Sequence, residues 1–170
     1  NGVMDLCQWV VNQPRSIPGR EGELMDQDPD WGWARRAVAS FLQRSLNKKA
    51  APFELRDRVW KLLEVLANDT DPDVTKVSKR DISSKDAYTM AINSVRGEAI
   101  GGVVEYALWV RQNISKGTGK TPEGFNDMPE VRRLLEEHLS PEKDASIAVR
   151  SIYGRYFPWL LLMDEQWTKA

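Results

Sequence analysis

The sequence predicts an all-α protein of about six to seven helices arranged as antiparallel pairs. Two observations carry that expectation. Apolar residues recur at the three- and four-residue spacing that gathers them on one helical face, and the two-residue strand period is almost nowhere followed. Pro, Gly and Asp clusters then cut the chain into segments of helix length.

Val3, Leu6, Cys7 and Val10 outline a short first helix. Pro14, Pro18, Gly19 and Gly22 mark the loop after it. Residues 1–27 read as this helix and loop, and residues 28–170 as the helical domain proper. The Asp28-Pro29-Asp30 opening places Asp30 as the N-cap of a second helix, with a core stripe of Ala34, Ala37, Val38, Phe41 and Leu42 ending near Asn47. After Pro52 a third helix carries Leu55, Val59, Leu62, Leu63 and Leu66 on one face. "NDTDPDVTKVSKRDISS" follows as a polar connection containing Pro72, within which "DTDPDVTK" reads as a turn and helix start.

Ser84 is expected to cap the longest helix, from about Lys85 to Gln112. Tyr88, Ala91, Ile92, Val95 and Ala99 form the apolar face of its first half. "AIGGVVEYALWV" is apolar nearly all round, which marks a central helix surrounded by others. Gly101-Gly102 would let a neighbour approach closely. Asp127 and Pro129 open a fifth helix bearing Val131, Leu134, Leu135 and Leu139. A sixth starts near Ala145, and Pro158 predicts a kink or break that leaves "WLLLMDEQW" as a separate piece. "AINSVRGEAI" (91–100) and "AVRSIYGRYF" (148–157) echo each other at an offset of 57, sharing Ala, Ser and Gly. A duplicated helix pair and coincidence are both open at this point.

Composition narrows the function classes. Apolar residues at 41% and charged ones at 29% match an ordinary folded domain with a real core. With 24 basic against 25 acidic residues the net charge of −1 offers no overall attraction to duplex DNA. Cys7 stands alone, which excludes an internal disulfide or a multi-cysteine zinc site and fits a reducing cytoplasm. The start has no basic leader, and Glu105 interrupts the longest apolar run before it reaches bilayer length. A first residue other than Met and an abrupt "DEQWTKA" end are expected of a piece of a longer protein.

No catalytic constellation emerges. "SKGTGKTPEG" contains Gly119-Lys120-Thr121, the close of a phosphate-binding loop, but Ile114 stands where the first Gly belongs. A helix precedes it where a strand is needed, and Pro122 and Gly124 follow where a helix must start. His138 is the only histidine, so it cannot form a metal cluster and no Ser or Cys has another His to use as a base; a structural or surface role is expected. No cofactor and no metal are expected. "DTDPDVTK" lacks the Gly and closing Glu of a calcium loop. The basic doublets Arg35-Arg36, Lys48-Lys49, Lys79-Arg80 and Arg132-Arg133 are scattered among acids and read as solvated helix faces. Of seven Trp, Trp60, Trp109 and Trp159 fall at core spacing. Trp31 and Trp33, at a helix start, are the candidate partner-binding residues together with Arg35 and Arg36.

The paired helices, the Asp openings at Asp28 and Asp71 and the "DASIAVRSIYGRYF" helix resemble degenerate HEAT or armadillo repeats over roughly residues 28–167. "AINSVRGEAI" and "VRSIYGRYFPWLLLMDEQW" resemble helical regions of very large bacterial multidomain proteins, some of which carry an NTPase domain elsewhere and are linked to defence or signalling. The resemblance implies a HEAT-like or irregular α-α superhelical array. It also implies a scaffold or sensing role with no enzymatic activity in this segment, meeting a protein partner or other domains of the same parent chain. The alternative is a nucleic-acid module similar to HEAT-like alkylpurine DNA glycosylases, which requires a basic groove.

Overall fold

Helices α1 (Gly2–Val11), α2 (Gly32–Asn47) and α3 (Arg56–Ala67, entered through a 3-10 turn at Phe53–Leu55) open the fold. They are followed by α4 (Ser84–Ile92), α5 (Val95–Thr118), α6 (Pro129–Leu139), α7 (Ile147–Met163) and α8 (Glu165–Lys169). This computed structural model describes residues 2–15, 17–20, 28, 30–73 and 84–170, without the side chains of residues 84–86. Gly22, Pro29 and the Lys79-Arg80 doublet lie outside the described residues. Among those described, the fold is all-α and contains no strand.

The all-round apolar helix sits at the centre, as its composition requires. From Val95 to Val110 nearly every residue of α5 is buried. α2, α3, α4, α6 and α7 all pack against α5, with α2 making the most extensive contact. Gly101 and Gly102 permit close approach of two neighbours: a Cβ on Gly101 would collide with the Gln43 amide of α2, and one on Gly102 would stand 2.8 Å from Leu63 of α3. Glu105, the one charge between Ala99 and Val110, is accommodated by hydrogen bonding. Its Oε1 accepts from the Asn47 amide (3.1 Å) and from the Tyr156 hydroxyl (3.2 Å), which in turn accepts from Gln43 Nε2 (3.0 Å). Such donors offset much of the cost of desolvating a carboxylate.

The long helix expected from Lys85 to Gln112 is in fact two. The chain breaks at Asn93-Ser94, and Ser94, in extended conformation, caps α5 by accepting from the Gly97 amide. Asp71 Oδ2 accepts the Val95 amide at 2.8 Å, and the Asp71 carbonyl accepts from the Arg96 amide. Three otherwise unpaired first-turn donors are thereby satisfied, and this favours a new start over helix continuation. The same helix runs beyond its expected end, to Thr118, and stops at Gly119 in the left-handed region (φ 70°).

Other boundaries also shift. Asp30 is not the N-cap of α2; Trp31 occupies that position at φ 62°, and the free amides are taken from outside. Asp30 Oδ1 accepts from Gly32 (3.0 Å) and Asp28 Oδ2 from Ala34 (2.9 Å). Met128 precedes Pro129 at the start of α6 without a side-chain cap. Pro158 lies inside a continuous α7, and the break comes at Asp164, whose carboxylate accepts from the Trp167 and Phe125 amides.

Several stripes are rotated from expectation. α1 buries Met4, Cys7, Val10 and Val11, leaving Val3 and Leu6 exposed. Phe41, Tyr88 and Ile92 are outward, and Ala39 and Ala87 take the inward positions. α3 buries Val59, Leu62, Leu63 and Leu66 as expected. The echo does not persist in three dimensions: 91–100 contains the α4–α5 break, whereas 148–157 is uninterrupted helix.

The tryptophans divide between core and surface. Trp109, buried, stacks with Tyr106 (5.9 Å) and Phe53 (5.2 Å), and Trp60 with Tyr106 (5.3 Å). Trp167 meets buried Phe125 edge-on at 4.9 Å. Trp159, at core spacing in the sequence, is exposed.

Candidate functional site

The four residues singled out at the start of α2 point in different directions because consecutive helical positions are about 100° apart. Trp31 pays for its left-handed backbone and turns to Trp9, ring centroids 5.3 Å apart and nearly perpendicular. Arg35 turns inward. It is 8% exposed, donates to the Val11 and Gln13 carbonyls, and pairs with Asp69 at 3.0 Å. Its guanidinium ties α1, α2 and the end of α3 together and is not available to a partner. Trp33 and Arg36 alone of the four stand on an open surface.

That surface is a groove. Arg36 Nη1 donates to Asn93 Oδ1 (2.9 Å), spanning from α2 to the break between α4 and α5. On one side of Trp33 and Arg36 a cavity of about 560 Å³ is lined by Arg15, Asp30, Asp71 and Met90 among others. On the other a cavity of about 640 Å³ runs down α2 past Phe41, Arg44 and Lys48, with Ile92 and Glu98 opposite. Trp33 is 50% exposed, Phe41 42% and Ile92 39%.

Electrostatics differ along the groove. At the upper end Asp71 is pushed above the ordinary carboxylate range by burial, which its bond from the Val95 amide counters, and further by Asp69. At the lower end Arg36, Arg44 and Lys48 face one carboxyl. Burial pushes Glu98 up against the pull of Arg44 and Arg36, and its Oε2 is buried without a hydrogen-bond partner. The lower end is therefore a cationic row beside exposed apolar side chains.

The sequence places Phe41 and Ile92 on core stripes and gives Arg44 and Glu98 no candidate role. The signal was present as two interleaved four-residue series on α2, Trp33-Ala37-Phe41 and Arg36-Ser40-Arg44-Lys48. Trp33 is the partner-binding candidate of the first series, whereas Ala37 and Phe41 fall on the expected core stripe because aromatic and small apolar residues at helical spacing usually pack inside.

The remaining candidates have structural places. His138 Nδ1 lies 2.8 Å from Asp144 Oδ2, both buried, and Nε2 has no partner. Burial pushes the Asp144 carboxyl up, but hydrogen bonds from His138 and the Ser146 amide, with Arg96 at 3.2 Å, hold it below its ordinary value. Cys7 is buried, which pushes its thiol up. The Gly119-Lys120-Thr121 stretch follows a helix, and Thr118 Oγ1 accepts the Lys120 amide; no strand leads into it. Arg132 and Arg133 pair with Glu136 and Glu137 one turn on, as solvated faces do. Among the described residues no three His, Cys, Asp or Glu side chains converge as metal ligands, and no helix is long and apolar enough to cross a membrane. Comparison with protein-family models, curated proteins and solved structures gives no match to this chain.

Proposed function

We propose that the chain is a non-catalytic helical interaction or scaffold module of a larger bacterial cytoplasmic protein. It meets a protein partner, or another domain of its parent chain, through an exposed helix face. The observation that carries this reading is the outer side of α2, where Trp33 and Phe41 stand open to solvent beside Arg36, Arg44 and Lys48. Aromatic and arginine side chains together are the composition of interface anchors. A photo-reactive amino acid placed at Phe41 in the full chain is expected to capture a discrete protein in the source cells, and the same group at exposed Lys61 is not. Equal capture at both positions, or at neither, overturns the reading.

A HEAT-like nucleic-acid module is the second reading, favoured by the same cationic row next to Trp33. Against it stand Asp30, Asp71 and Glu98, which line the groove and repel a phosphate backbone. Binding of DNA that weakens steeply with salt would favour it.

A further inference from the structure

We propose that the lower groove, from Trp33 to Lys48 between α2 and the α4–α5 joint, docks an acidic amphipathic peptide segment of a partner protein. The inference rests on the interaction reading above and commits it to one surface and one partner chemistry. Carboxylates of the segment meet Arg36, Arg44 and Lys48, and its apolar side chains seat on Phe41 and Ile92.

Charge accounting supports this occupant. Several basic side chains elsewhere on the surface are neutralised within the chain, Arg132 by Glu136, Arg58 by Asp5, Arg133 by Glu64 and Lys169 by Glu165. Others such as Lys61 and Lys120 enter no ion pair among the described residues but do not share a groove with two further cations. Arg44 and Lys48 enter no ion pair among the described residues, and Arg36 donates one N–H to the neutral Asn93 amide. The single acid on this floor, Glu98, is half-buried and does not neutralise three cations.

Geometry matches a helical or extended peptide. At a rise of about 1.5 Å per residue, Arg44 and Lys48 are separated by about 6 Å along the α2 axis and Arg36 and Arg44 by about 12 Å. A helix with Glu at every fourth position presents carboxylates at that repeat, with an apolar stripe beside them. The acidic end beyond Trp33, at Asp30 and Asp71, limits how far a run of negative charge can extend. A peptide can end its acidic stretch at Arg36, whereas a nucleic-acid strand carries a charge at every nucleotide into that end.

The test uses the full chain and three fluorescent probes read by anisotropy. They are a short amphipathic peptide with Glu at every fourth position beside Leu and Phe, the same peptide with Lys for Glu, and a single-stranded oligonucleotide. The Glu peptide is expected to bind and the Lys peptide not to. R44E/K48E is expected to weaken the Glu peptide about tenfold or more through like-charge repulsion, and F41A to weaken it roughly tenfold by removing an apolar anchor. K61E, on α3, is expected to leave it unchanged. Since R44E brings a second acid near Glu98, R44Q/K48Q serves as a milder neutralisation whose fold is checked by circular dichroism.

Binding of the Glu peptide that ignores both the groove substitutions and F41A overturns the groove assignment and leaves the interaction reading standing. Preference for the oligonucleotide overturns both. Absence of binding by any probe overturns the acidic-peptide proposal, and the crosslinking comparison at Phe41 and Lys61 then decides the broader reading separately.

Discussion

Arg35 of α2 and Asp69, just past α3, form a buried ion pair with Nη1 and Oδ2 3.0 Å apart. Asp69 is also 3.3 Å from Arg15 and accepts from the Asp71 amide, while Arg96 donates to its carbonyl. Asp69 thus gathers the loop after α1 and the side of α2 through its carboxylate and the first turn of α5 through its carbonyl. Removing the carboxylate leaves buried guanidinium groups uncompensated. Asp69→Ala is expected to cost about 3–5 kcal/mol of folding stability, measured by urea denaturation. A loss under about 1 kcal/mol would show that the network relaxes into solvent.

The start of α5 is held by two side-chain acceptors, the Ser94 hydroxyl and the Asp71 carboxylate, besides the Asp71 carbonyl. Ser94→Ala is expected to cost about 1 kcal/mol. Asp71 behaves differently. Its folded pKa is raised, so its contribution is greatest below the ordinary carboxylate pKa and is lost as pH rises through the folded value. Asp71→Asn keeps an acceptor for Val95 and removes repulsion from Asp69. Thermal unfolding at neutral pH is expected to show an equal or higher midpoint, and a marked fall would contradict this.

Asp144 provides the opposite pH dependence. Its folded pKa is lowered, so its stabilisation is present above the unfolded value of about 3.9 and is lost as pH falls through the folded one. At neutral pH Asp144→Asn is expected to cost about 1–3 kcal/mol, because it weakens the bonds to His138 and Arg96. The difference from the parent protein should shrink on acidification. Denaturant titrations through the acid range measure it, and a pH-independent difference would refute the assignment.

Gly97 and Gly154 occupy matching places in the sequence echo and make opposite predictions. A Cβ at Gly97 would run into the Ala91 backbone, whereas nothing lies within 4 Å of one at Gly154. Gly97→Ala is expected to destabilise by about 1–3 kcal/mol or more, since backbone cannot move aside cheaply. Gly154→Ala, in the interior of α7, is expected to stabilise by about 0.5–1 kcal/mol. Thermal midpoints of the two variants, compared directly, check both.

Helical class and the central place of α5 were legible before any coordinates, because apolar spacing and the width of an apolar face depend only on residue order. Gly101-Gly102 as a close-approach point was legible for the same reason. The helix break at Ser94 was not, because the Asp71 carboxylate that helps to stabilise it is remote in sequence. Nor was the split between Arg35 and Arg36: adjacent residues of one type diverge only once α1 and Asp69 define an inside. Periodicity identifies an apolar stripe but does not tell whether a neighbouring helix covers it. The packing of α5 against α2, and of α4 against α5 and α7, left Phe41 and Ile92 outside, and that tertiary choice put apolar side chains next to Arg44 and Lys48, which enter no ion pair among the described residues.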